Sequence, residues 1–296
     1  MPYVGELSAL ATAVMWTGSA LAFAAATTRV GSVYVNVVRL VAAVIFLFVT
    51  IVVFGIPVNV SAVQTMFLSL SGFVGFVFGD TFLFKSYEYN DARIGSLIMS
   101  AAPAMTALMA FLFLNETLSF TGILGIIITL AGIALVVLER KEPSTHYVPI
   151  SMMGVLYALL GAIGQAGGMI LAKSAFAYGP INGFVATFIR AFVATLVLAP
   201  LNYLAGRFTK PREIFSNDWK AFRFTMLGSF LGPYLGVTFS LIAISLTDVA
   251  IAATIIALVP IVMLPTVWIL FRERLSWRAI VGACVAVGGV GILFFR

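Results

Sequence analysis

Only one cysteine and one histidine occur among the 296 residues, and charged side chains make up just 9%. Each scarcity excludes a class of chemistry. A single thiol, Cys284, permits no intrachain disulfide, and its place in an apolar run predicts a buried, inert group. A lone imidazole, His146, lies in a polar stretch, which excludes paired axial ligation and His-rich metal sites. No metal and no cofactor is expected. No Gly-rich loop ending in Gly-Lys-Ser or Gly-Lys-Thr is present, so nothing suggests a nucleotide-driven pump. Soluble domains carry roughly 25% charged residues; a chain that is 62% hydrophobic has too little polar surface to cover a water-soluble core.

What the chain does have is apolar length. A membrane span needs about 20 mostly apolar residues, and ten segments qualify: 5–26, 33–54, 62–84, 92–114, 120–138, 150–172, 181–204, 222–244, 248–271 and 277–295. The first carries no basic flank and no cleavage pattern, so it reads as a span and not a signal peptide. Two connections are longer and polar, 139–149 and 205–221, the second expected to be a surface loop with a helical turn. The net charge of +6 comes from lysines and arginines in short loops, which suits headgroups and topology rather than nucleic acid.

The second half repeats the first at an offset of 157 residues. Gly75, Gly79, Thr81 and Phe82 match Gly232, Gly236, Thr238 and Phe239; Pro103 matches Pro260, Glu116 matches Glu273, and Gly125 and Gly132 match Gly282 and Gly289. The first span matches the sixth at an offset of 149, pairing Gly18 with Gly167, and Arg39 matches Arg190. Each half holds five spans. Five is odd, so the second half enters the membrane from the opposite side, and residues 1–142 and 143–296 form two inverted five-helix repeats. The expected fold is an all-α membrane protein of ten transmembrane helices.

Basic residues gather on one side. Loops after odd-numbered spans, with their flanks, hold Arg29, Lys85, Arg93, Arg140, Lys141, Arg207, Lys210, Arg212, Lys220, Arg223, Arg272, Arg274 and Arg278; the other side holds only Lys173 and terminal Arg296. The positive-inside rule then places both termini outside the cytoplasm.

Trp16, Arg39, the Gly-rich third span ending Gly79-Asp80, Pro103, Leu114-Asn115-Glu116-Thr117-Leu118 and the fifth-span glycines Gly122, Gly125 and Gly132 come in an order that the second half repeats. In that order and duplication the chain resembles the ten-helix EamA-type branch of the drug/metabolite transporter superfamily. The resemblance runs from about Gly5 to Phe294 and implies a central cavity lined by spans one, three, four, six, eight and nine, buttressed by five and ten. It implies a secondary transporter of a small organic metabolite, such as an amino acid or related compound. Most members are exporters. It also implies cytoplasmic termini, against the charge count.

Candidate substrate contacts are Trp16, Ser19, Gln165, Arg190, Tyr234 and Thr238, with Tyr157 at a mouth and Ser100, Thr106 and Thr254 on other spans. The two halves differ where Trp16 aligns with Gln165 and where Asp80 aligns with Val237, so substrate choice should lie there. Ionisable groups within spans are costly and invite a functional reading. Arg39 and Arg190 each either bind a substrate carboxylate or phosphate, or snorkel or pair with an acid. Asp80 either pairs with Arg39 or carries a proton. Pro103 and Pro260, with Pro233 and Pro265, are expected to kink their helices. Glu116 and Glu273 read as helix caps, and Glu6 as an acid favoured at a helix start. The competing class is a membrane-embedded aspartyl enzyme using Asp80, but position 77 is Val77 and no second intramembrane acid exists to share a proton. The expected partners are the lipid bilayer, a small-molecule substrate and a possible proton, for a monomer or homodimer in a bacterial or archaeal inner membrane.

Overall fold

A computed structural model describes residues 3–89, 98–99, 102–114, 119–137, 151–259, 261–262 and 277–294. Every regular element among them is helical. The first half contributes α1 (Val4–Val30), α2 (Ser32–Val53), α3 (Ala62–Gly72), α4 (Asp80–Tyr89), α5 (Ala102–Leu114) and α6 (Phe120–Val137). The second contributes α7 (Met152–Phe176), α8 (Gly183–Leu204), α9 (Pro211–Asn217), α10 (Trp219–Ser229), α11 (Val237–Leu246), α12 (Val249–Ile256) and α13 (Trp277–Phe294). Six stretches are long and apolar enough to cross a bilayer: Val4–Val30, Ser32–Val53, Ala62–Ser86, Met152–Phe176, Gly183–Leu204 and Trp219–Leu246. The other four expected spans are described in part, by α5, α6, α12 and α13.

Turns between spans are tight. Gly31 alone joins α1 to α2 at φ 86°, a left-handed conformation that glycine adopts without a Cβ penalty. The polar stretch after α8 contains the short helix α9, with Pro211 at its start, where the missing N–H costs nothing. Asp218 then caps α10 by accepting from the Ala221 amide at 2.9 Å and pairs with Arg29 at 2.7 Å, tying the end of α1 to the eighth span.

The Ala221 amide and the Arg29 guanidinium hold the Asp218 carboxyl below the usual carboxylate range. A lowered folded pKa contributes stability that is present above the unfolded value and is lost as pH falls through the folded one. The tie is therefore complete at neutral pH. Asp218→Ala should expose the Ala221 amide to hydrogen exchange at pH 7, and the wild type should do so only in strong acid.

The third and eighth spans are each interrupted at the same repeat position. Phe73–Gly79 and Phe230–Gly236 are wound as π-helix, with Asp80 N–H donating to Gly75 O and Val237 N–H donating to Gly232 O. Pro233 was expected to break its span; it lies instead within the wider π turn, and the helix continues through it. The first repeat has Phe76 at that position, so the proline is not the cause. What the two segments share is the leading phenylalanine, Phe73 and Phe230, and the glycine pair, Gly75/Gly79 and Gly232/Gly236.

The halves are related by a two-fold that can be read from single contacts. Gly132 lies against Gly282 and Ala286, and Gly289 lies against Gly125 and Thr129; each set is the other shifted by 157. In both directions a Cβ would collide with backbone, so α6 and α13 pack at glycine distance. Cys284 is exposed on α13, correcting the expected burial. It sits two residues from both Gly282 and Ala286, about 200° around the helix, and so faces away from the α6 contact toward lipid. The interior is built from small residues: Ala9, Ala13, Ala43, Ala158, Ala162, Ala172 and Ala191 are wholly buried, while Phe48, Phe111, Phe113 and Leu204 point outward. Lipid is as apolar as leucine, so close van der Waals packing of small residues holds such a bundle together.

Candidate functional site

Two seams pass through the middle of the protein, and both run along a π-wound span. In one, α1 lies on the eighth span: Trp16, Ser19 and Phe23 cover Gly236, Gly232 and Gly228. A Cβ on Gly236 would stand 2.6 Å from the Trp16 indole nitrogen, and one on Gly228 2.5 Å from the Phe23 ring. In the other, α7 lies on the third span, where Gly164 and Gly168 meet Gly79 and Gly75 backbone to backbone. Each seam carries a crossing hydrogen bond from a serine, and Thr12 Oγ1 also reaches Gly236 O at 3.2 Å across the first. Ser19 Oγ donates to Gly228 O at 3.1 Å, and Ser71 Oγ donates to Gly168 O at 2.5 Å. Ser71 is the repeat partner of Gly228, and Gly168 that of Ser19, so donor and acceptor have changed helices while the bond is kept.

This symmetry makes the mismatches legible. Trp16 and Gln165 occupy equivalent places and are both half-buried, and neither side chain makes a hydrogen bond among the described residues. The indole fills the groove that Gly236 leaves. Gln165 has a side-chain amide without a hydrogen bond among the described residues, and its backbone nitrogen lies 3.2 Å from where a Cβ on Gly79 would stand. Ser19, Tyr234 and Thr238 differ from these two because their hydroxyls are engaged. Tyr234 Oη and Thr50 Oγ1 are 2.8 Å apart, and the tyrosine ring packs among Phe46, Phe184 and Phe230. The single Thr238 hydroxyl proton has two acceptors, Tyr234 O at 2.5 Å and Thr187 Oγ1 at 3.1 Å. These bonds tie the eighth span to α2 and α8.

Arg39 and Arg190 are each the seventh residue after a helix start, Ser32 and Gly183, on helices that begin at opposite membrane faces. Arg39 is fully answered. Its guanidinium forms a salt bridge with Asp80, its Nε donates to Asn36 Oδ1 at 2.9 Å, and its plane lies 5.6 Å from the Phe23 ring and 5.0 Å from Phe84. Arg190 is 4% exposed, stacks 5.1 Å from Phe76, and has a buried Nε with no partner.

At the face where the chain begins, the helix ends are fastened together. Lys173 Nζ donates to Ile244 O at 2.6 Å and Thr247 O at 3.0 Å, capping the eighth span with a cation, as suits a helix C-terminus. Thr247 Oγ1 donates to Glu6 Oε1 at 3.2 Å, and Gln64 Nε2 to Gly179 O at 3.1 Å. Spans one, three, six and eight are thus tied at one face. At the other, the position matching Lys173 is Ala24, which has no donor to repeat the bond. There, Lys85 stacks over Tyr157, itself packed on Phe82 and Tyr89.

Sequence reading counted Lys173 as a loop charge and missed this cap. The one usable signal was that it was the sole internal cation on its side. Thr254 is buried and donates to Ala250 O, and Thr106 Oγ1 is buried without a partner. Pro103 falls at the edge of the described part of α5; Ser100, Glu116, His146, Pro260, Pro265 and Glu273 lie outside the described residues.

Comparison with known proteins gives the same architecture a family. One solved crystal structure superposes with a TM-score of 0.76 over 97% of this chain and 94% of its own, at 17% identity, a likeness of fold alone. The uncharacterized transporter YxxF of Bacillus subtilis is 28% identical over 124 residues, 42% of this chain and 38% of its own length. A WAT1-related protein of Arabidopsis thaliana is 31% identical over 166 residues, 53% of this chain and 41% of its own length. The chain thus aligns with about two fifths of the length of the curated relatives it matches. The family model for EamA-like transporters matches twice, at residues 3–138 and 152–295. Two matches, one per repeat and together spanning nearly the whole chain, decide between the transporter and the aspartyl enzyme: this multi-pass membrane protein belongs to the EamA-like transporter family of the drug/metabolite transporter superfamily.

Proposed function

We propose that the chain is a secondary transporter that exports a small organic metabolite, such as an amino acid or related compound, by alternating access. The observation that carries the reading is the unequal fastening of the two faces among the described residues. The Lys173 cap, the Thr247–Glu6 bond and the Gln64–Gly179 bond join spans one, three, six and eight at the face of the N-terminus. The opposite face is joined by the part-exposed Arg29–Asp218 pair and by Lys85 over Tyr157, and the position there that matches Lys173 is Ala24. A two-fold-related pair of halves fastened more at one face has a natural second state in which the other is the more tightly joined. Trp16 and Gln165, half-buried and without hydrogen bonds among the described residues, are the walls at which the two states would present different chemistry to the same substrate. With the basic loops in the cytoplasm, the more fastened face is the exterior one and this conformer faces inward. The setting is a bacterial or archaeal cell membrane, with the protein as monomer or homodimer.

The test begins with liposome uptake across amino acids, nucleosides, sugars and cationic drugs, to find a transported compound. A Gly5→Cys/Thr247→Cys pair is then made in a Cys284→Ser background. A Cβ on Gly5 lies 3.0 Å from Thr247 Cβ, close enough to cross-link with a small shift. Oxidation should stop transport and reduction should restore it. Full cross-linking with transport unchanged would remove alternating access at this face. Lys173→Met should weaken the closed state and increase labelling of a cysteine placed at Thr247.

A further inference from the structure

Arg39 and Arg190 are repeat partners, yet only one of them is neutralised. Around Arg39 the charge is met by Asp80, oriented by Asn36 and flanked by Phe23 and Phe84. Each counterpart around Arg190 is missing or engaged. Asp80 becomes Val237, Phe23 becomes Ala172 and Phe84 becomes Leu241. Asn36 becomes Thr187, which donates to Gly183 O at 2.8 Å and bonds Thr238. Asp80 itself has its carboxylate bound to Arg39. Arg190 makes no hydrogen bond or ion pair among the described residues, and its Nε is buried and unpartnered.

A buried, uncompensated guanidinium is costly, and membrane proteins retain such groups at sites that bind charge. The orientation specifies which charge. Phe76 covers one face of the guanidinium, so recognition falls to its edges. Nε and Nη2 form the side-on edge, two parallel N–H donors that match the two oxygens of a carboxylate. Gly75 keeps Nη2 uncrowded, since even a Cβ there would stand 3.1 Å from it. Nε is buried in this conformer, so binding at that edge requires α8 to move against the third span, on which it packs at glycine distance at Gly72.

We infer that Arg190 anchors an oxyanion subsite that takes the carboxylate of the transported substrate, the place of the missing acid being filled by the ligand. This rests on the transporter reading and names its substrate class. The test uses the full chain in phosphatidylcholine nanodiscs, with sodium succinate and sodium phosphate as probes and glucose and choline chloride as controls. Succinate should raise the melting temperature, and Arg190→Gln should weaken its binding on the order of 10–100-fold, the worth of a charge-assisted bond. Val237→Asp, which rebuilds the acid that the first repeat has, should fold and lose the succinate response in the same way.

A response to phosphate but not succinate, or one that appears only with phosphatidylglycerol in the disc, assigns the oxyanion to phosphate or a headgroup and overturns the inference. So does an unchanged succinate response in Val237→Asp. Transport of neutral or cationic compounds without any acid response would overturn it while leaving the transporter reading intact. A succinate response that depends on Arg190, in a protein that moves no compound, would overturn the transporter reading instead.

Discussion

Leucine at Gly164 is expected to abolish the folded protein. A Cβ at that position would stand 2.5 Å from the Gly79 Cα and 2.8 Å from its nitrogen, and the obstacle is backbone on both helices. Ordinary overpacking costs about 1–3 kcal/mol because side chains rotate out of the way. Here nothing can rotate. The α7 and third-span axes would have to separate, which also breaks the Ser71–Gly168 bond and shifts the π turn that places Asp80. Gly164→Leu should give no monodisperse peak in detergent size exclusion. Gly288→Leu, where an added Cβ meets no described atom within 4 Å, should behave as wild type. Equal behaviour of the two variants would mean that the seam does not hold the bundle.

Asp80→Asn is the second large effect. It leaves the Arg39 guanidinium, whose side chain is 8% exposed, without its counter-charge. Breaking a buried pair by removing one partner costs about 3–5 kcal/mol, whereas replacing both by apolar groups is often neutral. The thermal midpoint of Asp80→Asn should therefore fall sharply, and Arg39→Met/Asp80→Leu should recover most of it. This comparison separates the two roles that the sequence left open for Asp80. A proton carrier would give an Asp80→Asn protein that folds normally and loses pH-driven exchange in proteoliposomes. A structural partner gives a loss of stability that the double variant repairs.

Much of the architecture was legible because membrane physics leaves few alternatives. Apolar runs of span length must be helices, since lipid offers no partner to a free backbone group. An odd number of spans per repeat inverts the second half whatever the side chains do. The pairing of Arg39 with Asp80 was also within reach, as one of two options, because a lone acid in hydrocarbon has few partners to choose from. The π turns were not legible: Pro233 suggested a break in one span, but Phe76 in the other gave no sign, and the widening depends on how the glycines meet a neighbouring helix. Cys284 was misplaced because hydropathy does not distinguish lipid from protein interior; both are apolar, and only the packing of Gly282 and Ala286 on α6 turns the thiol outward.

The chain alone therefore determined that this is a ten-span bundle of two inverted repeats, since those follow from length, hydropathy and parity, each a property of single residues or their count. Which of two equivalent arginines is neutralised, which hydroxyls are already bonded and which face is the more fastened were decided only by the tertiary structure. Those are distances between residues far apart in the chain, such as Lys173 to Ile244 and Arg39 to Asp80. A hydrogen bond or ion pair exists only when two helices bring its atoms within about 3 Å, and no one-dimensional pattern carries that spacing.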